Sequence, residues 1–162
     1  MTVSLNPISN DEKHILQNLY SLYLHDLSEY TDGLDISTDG SFEFDSFELI
    51  WKEEGVTPYF LKKDKTIVGF LLLLERPFLK KDCDYSINDI FMLKKYRRKG
   101  IAISLLKELF KQKKGSYYIV ELAKNIPAVI FWRRVFSALN IEFEEKKKIV
   151  DDEECLVQSF RI

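Results

Sequence analysis

Residues 88–102 read Asn88-Asp89-Ile90-Phe91-Met92-Leu93, then Lys94-Lys95-Tyr96-Arg97-Arg98-Lys99, then Gly100-Ile101-Ala102. The first six are β-rich, the next six form a basic turn, and the last three open a helical stripe of Ile101, Leu105, Leu106, Leu109 and Phe110 that continues to Lys113. A helix start offers N–H groups without partners and a partial positive charge, and small residues there let an anion approach the backbone. Gly100 and Ala102 supply the small residues, and Arg97, Arg98 and Lys99 add positive charge. Taken alone, the same stretch also fits an ordinary strand-to-helix turn with a solvated basic rim.

Upstream, Ser9 and Glu12 form a capping-box pattern that opens a helix, with Ile15, Leu16, Leu19, Leu22 and Tyr23 on one face. Residues Thr2 to Leu5 read as a short strand before it. Glu29 to Phe44 is a long polar loop, and a short helix follows around Phe47 to Glu53, ended by Gly55. Pro58 to Lys63 and Thr66 to Leu74 read as a hairpin turning on Lys63-Asp64-Lys65, and Tyr85 to Leu93 as the next strand. Downstream lie a strand at Tyr117 to Leu122, a helix at Pro127 to Leu139, and strands at Ile141 to Ile149 and Glu154 to Arg161 around Asp151 and Asp152. Without a repeat or a linker, this order predicts one mixed α/β (α+β) domain over residues 1–162, its helices covering a largely antiparallel sheet.

Composition narrows the function classes. With 46% hydrophobic and 14% aromatic residues the chain has the means for a packed core, and a formal net charge of −2 gives no general attraction for nucleic acid or a membrane surface. The basic clusters, Lys94 to Lys99 and Lys146 to Lys148, are local. Cys83 and Cys155 stand apart with no metal-ligand spacing, so neither a disulfide framework nor a zinc site is expected. The N-terminal stretch lacks a signal pattern and Ile67 to Leu74 is too short to span a bilayer, which points to a cytoplasmic protein.

A second element changes the weight of the first. Asn125, Ala128, Phe131, Trp132 and Phe136 follow the next strand, so two consecutive β-α units present their helix starts together. The pair resembles the GNAT N-acetyltransferase superfamily. Arg97, Gly100 and Ala102 fill that family's acyl-CoA loop, Arg or Gln, two residues, Gly, one residue, Gly or Ala, and Met92 stands where a valine is usual. Asn125, Ala128, Phe131 and Phe136 match the family's second element, with Trp132 in place of its tyrosine. The likeness covers residues 56 to 148, whereas the segment before residue 56 agrees only in element order.

The resemblance implies a six- to seven-stranded sheet flanked by about four helices and direct transfer of acetyl from acetyl-CoA to an amine, a small molecule or a peptide, in a ternary complex. It places Met92 and Leu93 near the acyl carbonyl, Arg98, Lys99, Gly100, Ile101, Ala102 and Ile103 on the pyrophosphate, and Asn125, Phe131 and Trp132 along the pantetheine. No metal is implied, and a homodimer is compatible with it. Trp132 departs from the pattern because an indole N–H donates hydrogen bonds but is no acid; a thiolate of reference pKa about 8.5 can leave unassisted, or Tyr85, Tyr117 or Tyr118 can substitute, although packing is the preferred reading of all three. Asp89 is the first choice for the base and Glu121 the second, with His25 a third. A satisfied structural carboxylate is an equal reading of Asp89. The competing function is a catalytically silent acyl-CoA-binding or regulatory module.

Overall fold

The computed structural model describes residues 2–162. Seven strands form one sheet: β1 (Val3–Pro7), β2 (Val56–Lys63), β3 (Thr66–Glu75), β4 (Tyr85–Met92), β5 (Ser116–Leu122), β6 (Phe143–Val150) and β7 (Glu153–Arg161). Their spatial order is β1-β2-β3-β4-β5-β7-β6, with every neighbouring pair antiparallel except β4 and β5. Four helices accompany them: α1 (Lys13–Leu27), α2 (Leu49–Lys52), α3 (Ile101–Gln112) and α4 (Ile126–Ala138). Element order therefore follows the sequence expectation, and boundaries move by one or two residues at most strand and helix ends.

Local chemistry explains the elements. The Ser9 N–H and hydroxyl both donate to Glu12 Oε1 at 3.1 Å, closing the approach to α1 through a short 3-10 turn. The β2–β3 hairpin turns on two left-handed residues, Asp64 (φ 49°) and Lys65 (φ 75°). There Asp64 Oδ1 accepts from Thr2 N at 2.8 Å. Strand β3 is buried on both faces from Val68 to Leu74, so an unbroken apolar run takes the middle of its half of the sheet.

The sheet has a covered face on each side. On one, the α3 stripe and Trp132, Val135 and Phe136 of α4 pack on Leu71, Leu73, Ile87, Ile119 and Phe160. On the other, Leu16, Leu19 and Tyr20 of α1 and Ile50 of α2 pack on Phe60, Phe70, Leu72 and Phe91. One reading of α1 is corrected: Leu22 is exposed, and Tyr20 takes the core place beside Leu16, Leu19 and Leu24. The cause lies outside the helix, in a buried acceptor on β4 that a tyrosine hydroxyl reaches. Helix α2 is one turn long, shorter than the Phe47–Glu53 expectation. Among the described residues no helix is long and apolar enough to cross a membrane.

Candidate active site

Strands β4 and β5 begin together and then part. Asp84 joins their starts: Oδ2 accepts from Ser116 N at 2.9 Å and Ser116 Oγ at 3.2 Å, and Oδ1 accepts from Arg76 Nη1 at 2.9 Å. Only Tyr85 with Tyr117 and Ser86 with Tyr118 are then in register. Beyond them β4 continues to Met92 and β5 to Leu122 without pairing, so the sheet opens at the carboxyl ends of two parallel strands, where α3 and α4 both begin. An opening between parallel strands at the point where strand order reverses is where α/β sheets take ligands.

A bulge sits at the mouth of this gap. Leu72 pairs with Asp89 but Leu73 with Ile87, leaving Asn88 as the extra residue. The extra residue turns Asp89 to the α1 face. There Asp89 Oδ2 accepts from Tyr20 OH at 2.8 Å and Asn88 Nδ2 at 3.0 Å, and Oδ1 accepts from Tyr23 OH at 2.9 Å. Burial raises its pKa and the three donors oppose that rise. Both tyrosines are pushed well above the usual phenol range, first by burial and then by the adjacent carboxylate.

Further along β4, alternation of strand amides separates two neighbours. Leu93 N donates to Val68 O at 2.8 Å, toward β3, so Met92 N–H and C=O face the gap. The Leu93 amide is thus engaged in the sheet and turned away from where an acyl carbonyl was expected. The Met92 carbonyl is engaged as well, by Arg97 Nε at 2.7 Å. Arg97 is no part of a solvated rim: its Nη2 donates to Asp26 Oδ2 at 2.7 Å and its guanidinium lies 5.6 Å from the Phe91 ring centroid. It fastens the turn to β4 and to the last turn of α1.

The rest of the turn faces solvent. Arg98 (φ 63°) and Gly100 (φ 77°) are left-handed, and Arg98, Lys99 and Gly100 are exposed. Gly100 is the N-cap of α3, and a Cβ on it would meet no atom within 4 Å. Ser104 N, bonding Gly100 O at 3.1 Å, makes the first intrahelical turn, which leaves the amides of Ile101, Ala102 and Ile103 without intrahelical partners. These amides, the dipole and open space above the glycine suit an anion.

On β5, Tyr117, Ile119 and Glu121 point to the α3/α4 face. Glu121 lies three residues past the last β4 pair, is 7% exposed, and neither carboxylate oxygen has a hydrogen-bond partner. Burial pushes its pKa to about 8, the nearby Glu145 charge adds to the rise, and Arg133 opposes it. Arg133 is held instead by Glu145, with Nη2 to Oε2 at 2.7 Å, and Gln158 Nε2 also donates to Glu145 at 2.8 Å. Gln158 Oε1 is buried without a partner.

Asn125 caps α4, its side-chain oxygen accepting from Ala128 N at 3.3 Å. Asn125→Ala should cost about 1 kcal/mol of stability, read by chemical unfolding; an unchanged midpoint would deny the cap its role. Trp132 is buried, stacked on Phe136 and edge-on to the half-buried Phe131. Tyr117 is core too, its hydroxyl donating to Lys113 O at 2.5 Å and its ring stacked on Phe160, while Tyr85 packs against it. Tyr118 lies on the opposite face at the last register pair, with Lys81 Nζ 4.5 Å from its ring. His25 is exposed near Phe42.

Sequence reading put Tyr23 on the packed face of α1 but gave no site role to it, to Tyr20 or to Asp26. Their only sequence signal is polar atoms at i, i+3 and i+6 beside the buried face of α1.

Residues 16–137 match the acetyltransferase (GNAT) family model. No curated protein matches the chain. An acetyltransferase from Thermus thermophilus superposes with a TM-score of 0.71 at 13% identity, over 100% of this chain and 98% of that one. AAC(6')-Ib in complex with ribostamycin and coenzyme A gives 0.69 at 14% identity, over 99% and 94%. NAA60 of Arabidopsis thaliana in complex with acetyl-CoA gives 0.59 at 14% identity, over 99% and 98%. At these identities the likeness is one of fold.

Proposed function

The chain belongs to the acetyltransferase (GNAT) family, and from that membership we propose that it is an N-acetyltransferase, moving acetyl from acetyl-CoA directly to an amine in a ternary complex. The observation that carries this reading is the parting of β4 and β5 after two register pairs, with both helix starts at the opening. The pyrophosphate falls to the amides of Ile101, Ala102 and Ile103 and to the backbone of Arg98, Lys99 and Gly100, where charge and dipole agree. When bound, acetyl-CoA supplies the thioester that the amine attacks and the thiolate that leaves.

Met92 N–H, on the gap side of β4, suits the thioester oxygen, where negative charge develops. Of the two carboxylates, Glu121 is the better base: its lone pairs are free and its raised pKa leaves it able to hold a proton near neutral pH. In its ionised form, which prevails above about pH 8, it takes a proton through a water from the ammonium of an acceptor on the other side of the gap, so that the neutral amine can attack. Asp89, with three donors, is read as positioning Tyr20 and Tyr23 and through them α1. With tryptophan at 132 no acid is assigned; a thiol of pKa about 8.5 can leave as thiolate near neutral pH.

The acceptor is assigned to the α1 side. There Thr31 Oγ1 bonds Glu153, joining the polar loop after α1 to the β6–β7 turn. A cavity of about 140 Å³ beside the bulge is lined by Phe44, Ile50, Leu72, Leu74, Phe78 and Asn88 among others. Asp39 of that loop is tied to Ser37 and Ser41, which hold its pKa near 2.

Gly100→Val tests the cofactor half. No neighbour crowds a side chain there, so the fold should survive with a loss of about 1–2 kcal/mol from left-handed strain. The valine would occupy the space above the loop, and CoA affinity measured by calorimetry should fall at least about 100-fold. Unchanged affinity would remove the loop from the reading. Burial of Trp132 in the core favours the second reading, a silent acyl-CoA-binding module. Thiol release from acetyl-CoA across an amine panel separates the two: acceptor-stimulated release supports the enzyme, and saturable CoA binding without it supports the module.

A further inference from the structure

The free edge of the sheet beside β7 is β6, Phe143-Glu144-Glu145-Lys146-Lys147-Lys148-Ile149-Val150. One flank is bonded to β7; the other has no strand against it among the described residues, and every residue but Val150 is exposed. Its charges are segregated, two acids and then three bases. We propose that this edge is a homodimer interface, in which two copies pair β6 with β6, antiparallel about Lys146, into one continuous sheet.

In that alignment Glu144 lies opposite the partner's Lys148, Glu145 opposite the partner's Lys147, and Phe143 opposite the partner's Ile149. Two-fold symmetry makes each pair occur twice, and the only like-charge pair is Lys146 on the axis. Paired residues are an even number of positions apart, so they share a face of the strand and the two α4 helices lie on the same side of the joined sheet.

Helix α4 fits this arrangement. Phe136 stacks on Phe143 at 4.4 Å and Arg133 reaches Glu145, which lays α4 over β6. Ile126, Ile130 and Arg133 form one helical stripe. Of seven large hydrophobic side chains exposed among the described residues, four are Ile126 (55%), Ile130 (44%), Phe143 (38%) and Ile149 (65%). Their concentration on two adjacent elements marks a patch a partner would cover.

Charges on an edge strand commonly protect it from pairing. A protective edge repels a second copy in every alignment. This one repels in parallel register and attracts in one antiparallel register, so it selects a mate rather than refusing all. Glu144 and Lys148 form no ion pair within their own chain among the described residues, whereas Glu145 is held by Arg133 and Lys147 lies 3.4 Å from Glu154.

Sedimentation velocity on the whole chain, from about 1 to 100 μM, reads the equilibrium, and the test stands apart from the catalytic reading. The parent should dimerise in this range. Lys148→Glu sets like charges opposite each other at two places and should weaken the dimer roughly tenfold or more. The swap Glu144→Lys with Lys148→Glu should restore it, and Ile130→Asp should weaken it through the α4 stripe. Thermal unfolding of each variant checks that the exposed substitutions leave the fold intact. A parent that stays monomeric at the upper concentration overturns the proposal, as does a dimer indifferent to Lys148→Glu. A dimer that Lys148→Glu weakens but the swap does not restore overturns it as well.

Discussion

Gly69→Ala should unfold the protein or cost it about 3–5 kcal/mol of stability, although glycine and alanine differ by one methyl. Gly69 sits in β3 opposite Met92 and has no special φ; what it needs is room. A Cβ there would fall inside contact distance of the Phe91 carbonyl oxygen, with Phe91 C at 3.0 Å and Met92 Cα at 3.1 Å. All three atoms are backbone, so no side chain can rotate aside, and relief requires β3 and β4 to separate. Separation would loosen the Leu93 N to Val68 O bond and displace Met92, whose carbonyl anchors Arg97. Any folded fraction should therefore bind CoA poorly too. Urea unfolding measures the first effect and calorimetry the second; a variant within about 1 kcal/mol of the parent would refute the close approach.

Glu121→Gln should stabilise the protein at high pH while removing most of its acetyl transfer. The folded-state pKa is about 8 and the ordinary value 4.5. Below the ordinary value the carboxyl is protonated whether the chain is folded or not, and the group contributes nothing. As pH rises toward 8 the unfolded chain releases this proton and the folded one keeps it, so stability falls; above 8 the loss levels off. About 1.4 kcal/mol per unit over the rise from 4.5 to about 8 puts the full loss on the order of 5 kcal/mol. Glutamine carries no charge to bury, though its unpaired NH₂ offsets part of the gain, leaving about 3 kcal/mol.

The melting temperature of the variant should lie slightly below the parent's near pH 5, where the unpaired NH₂ dominates, and exceed it by roughly 6–12 °C at pH 9. Parallel melting curves across that range would show that Glu121 is not buried as a charge. With the proposed base gone, turnover should fall about 10²–10⁴-fold at unchanged CoA affinity. An equally active variant would return the role of base to Asp89 or to solvent. Stability gained where activity is lost is what a strained functional carboxylate produces.

Much of the architecture was legible because periodicity reports burial directly. The unbroken apolar run of β3, the α3 stripe and the Ser9–Glu12 box each act within one element, and each is found where the pattern puts it. The helix starts at Gly100 and Asn125 were legible for the same reason: capping is decided by a few adjacent residues. Arg97 shows the limit. Its neighbours Arg98 and Lys99 are exposed as a basic run predicts, but Arg97 turns inward to Met92 and to Asp26, 71 positions away.

By itself, then, the sequence determined the order and type of the elements and the anion-ready turn before α3, because propensity, capping and hydrophobic period are short-range. Only the tertiary structure decided that β4 and β5 part after two pairs, that the Asn88 bulge turns Asp89 to the two tyrosines of α1, and that Glu121 is buried without a donor. A bulge adds one residue without a compositional mark, and whether a carboxylate finds donors depends on what distant segments bring to it. Those contacts join residues some 66 to 69 positions apart, beyond the reach of any local pattern.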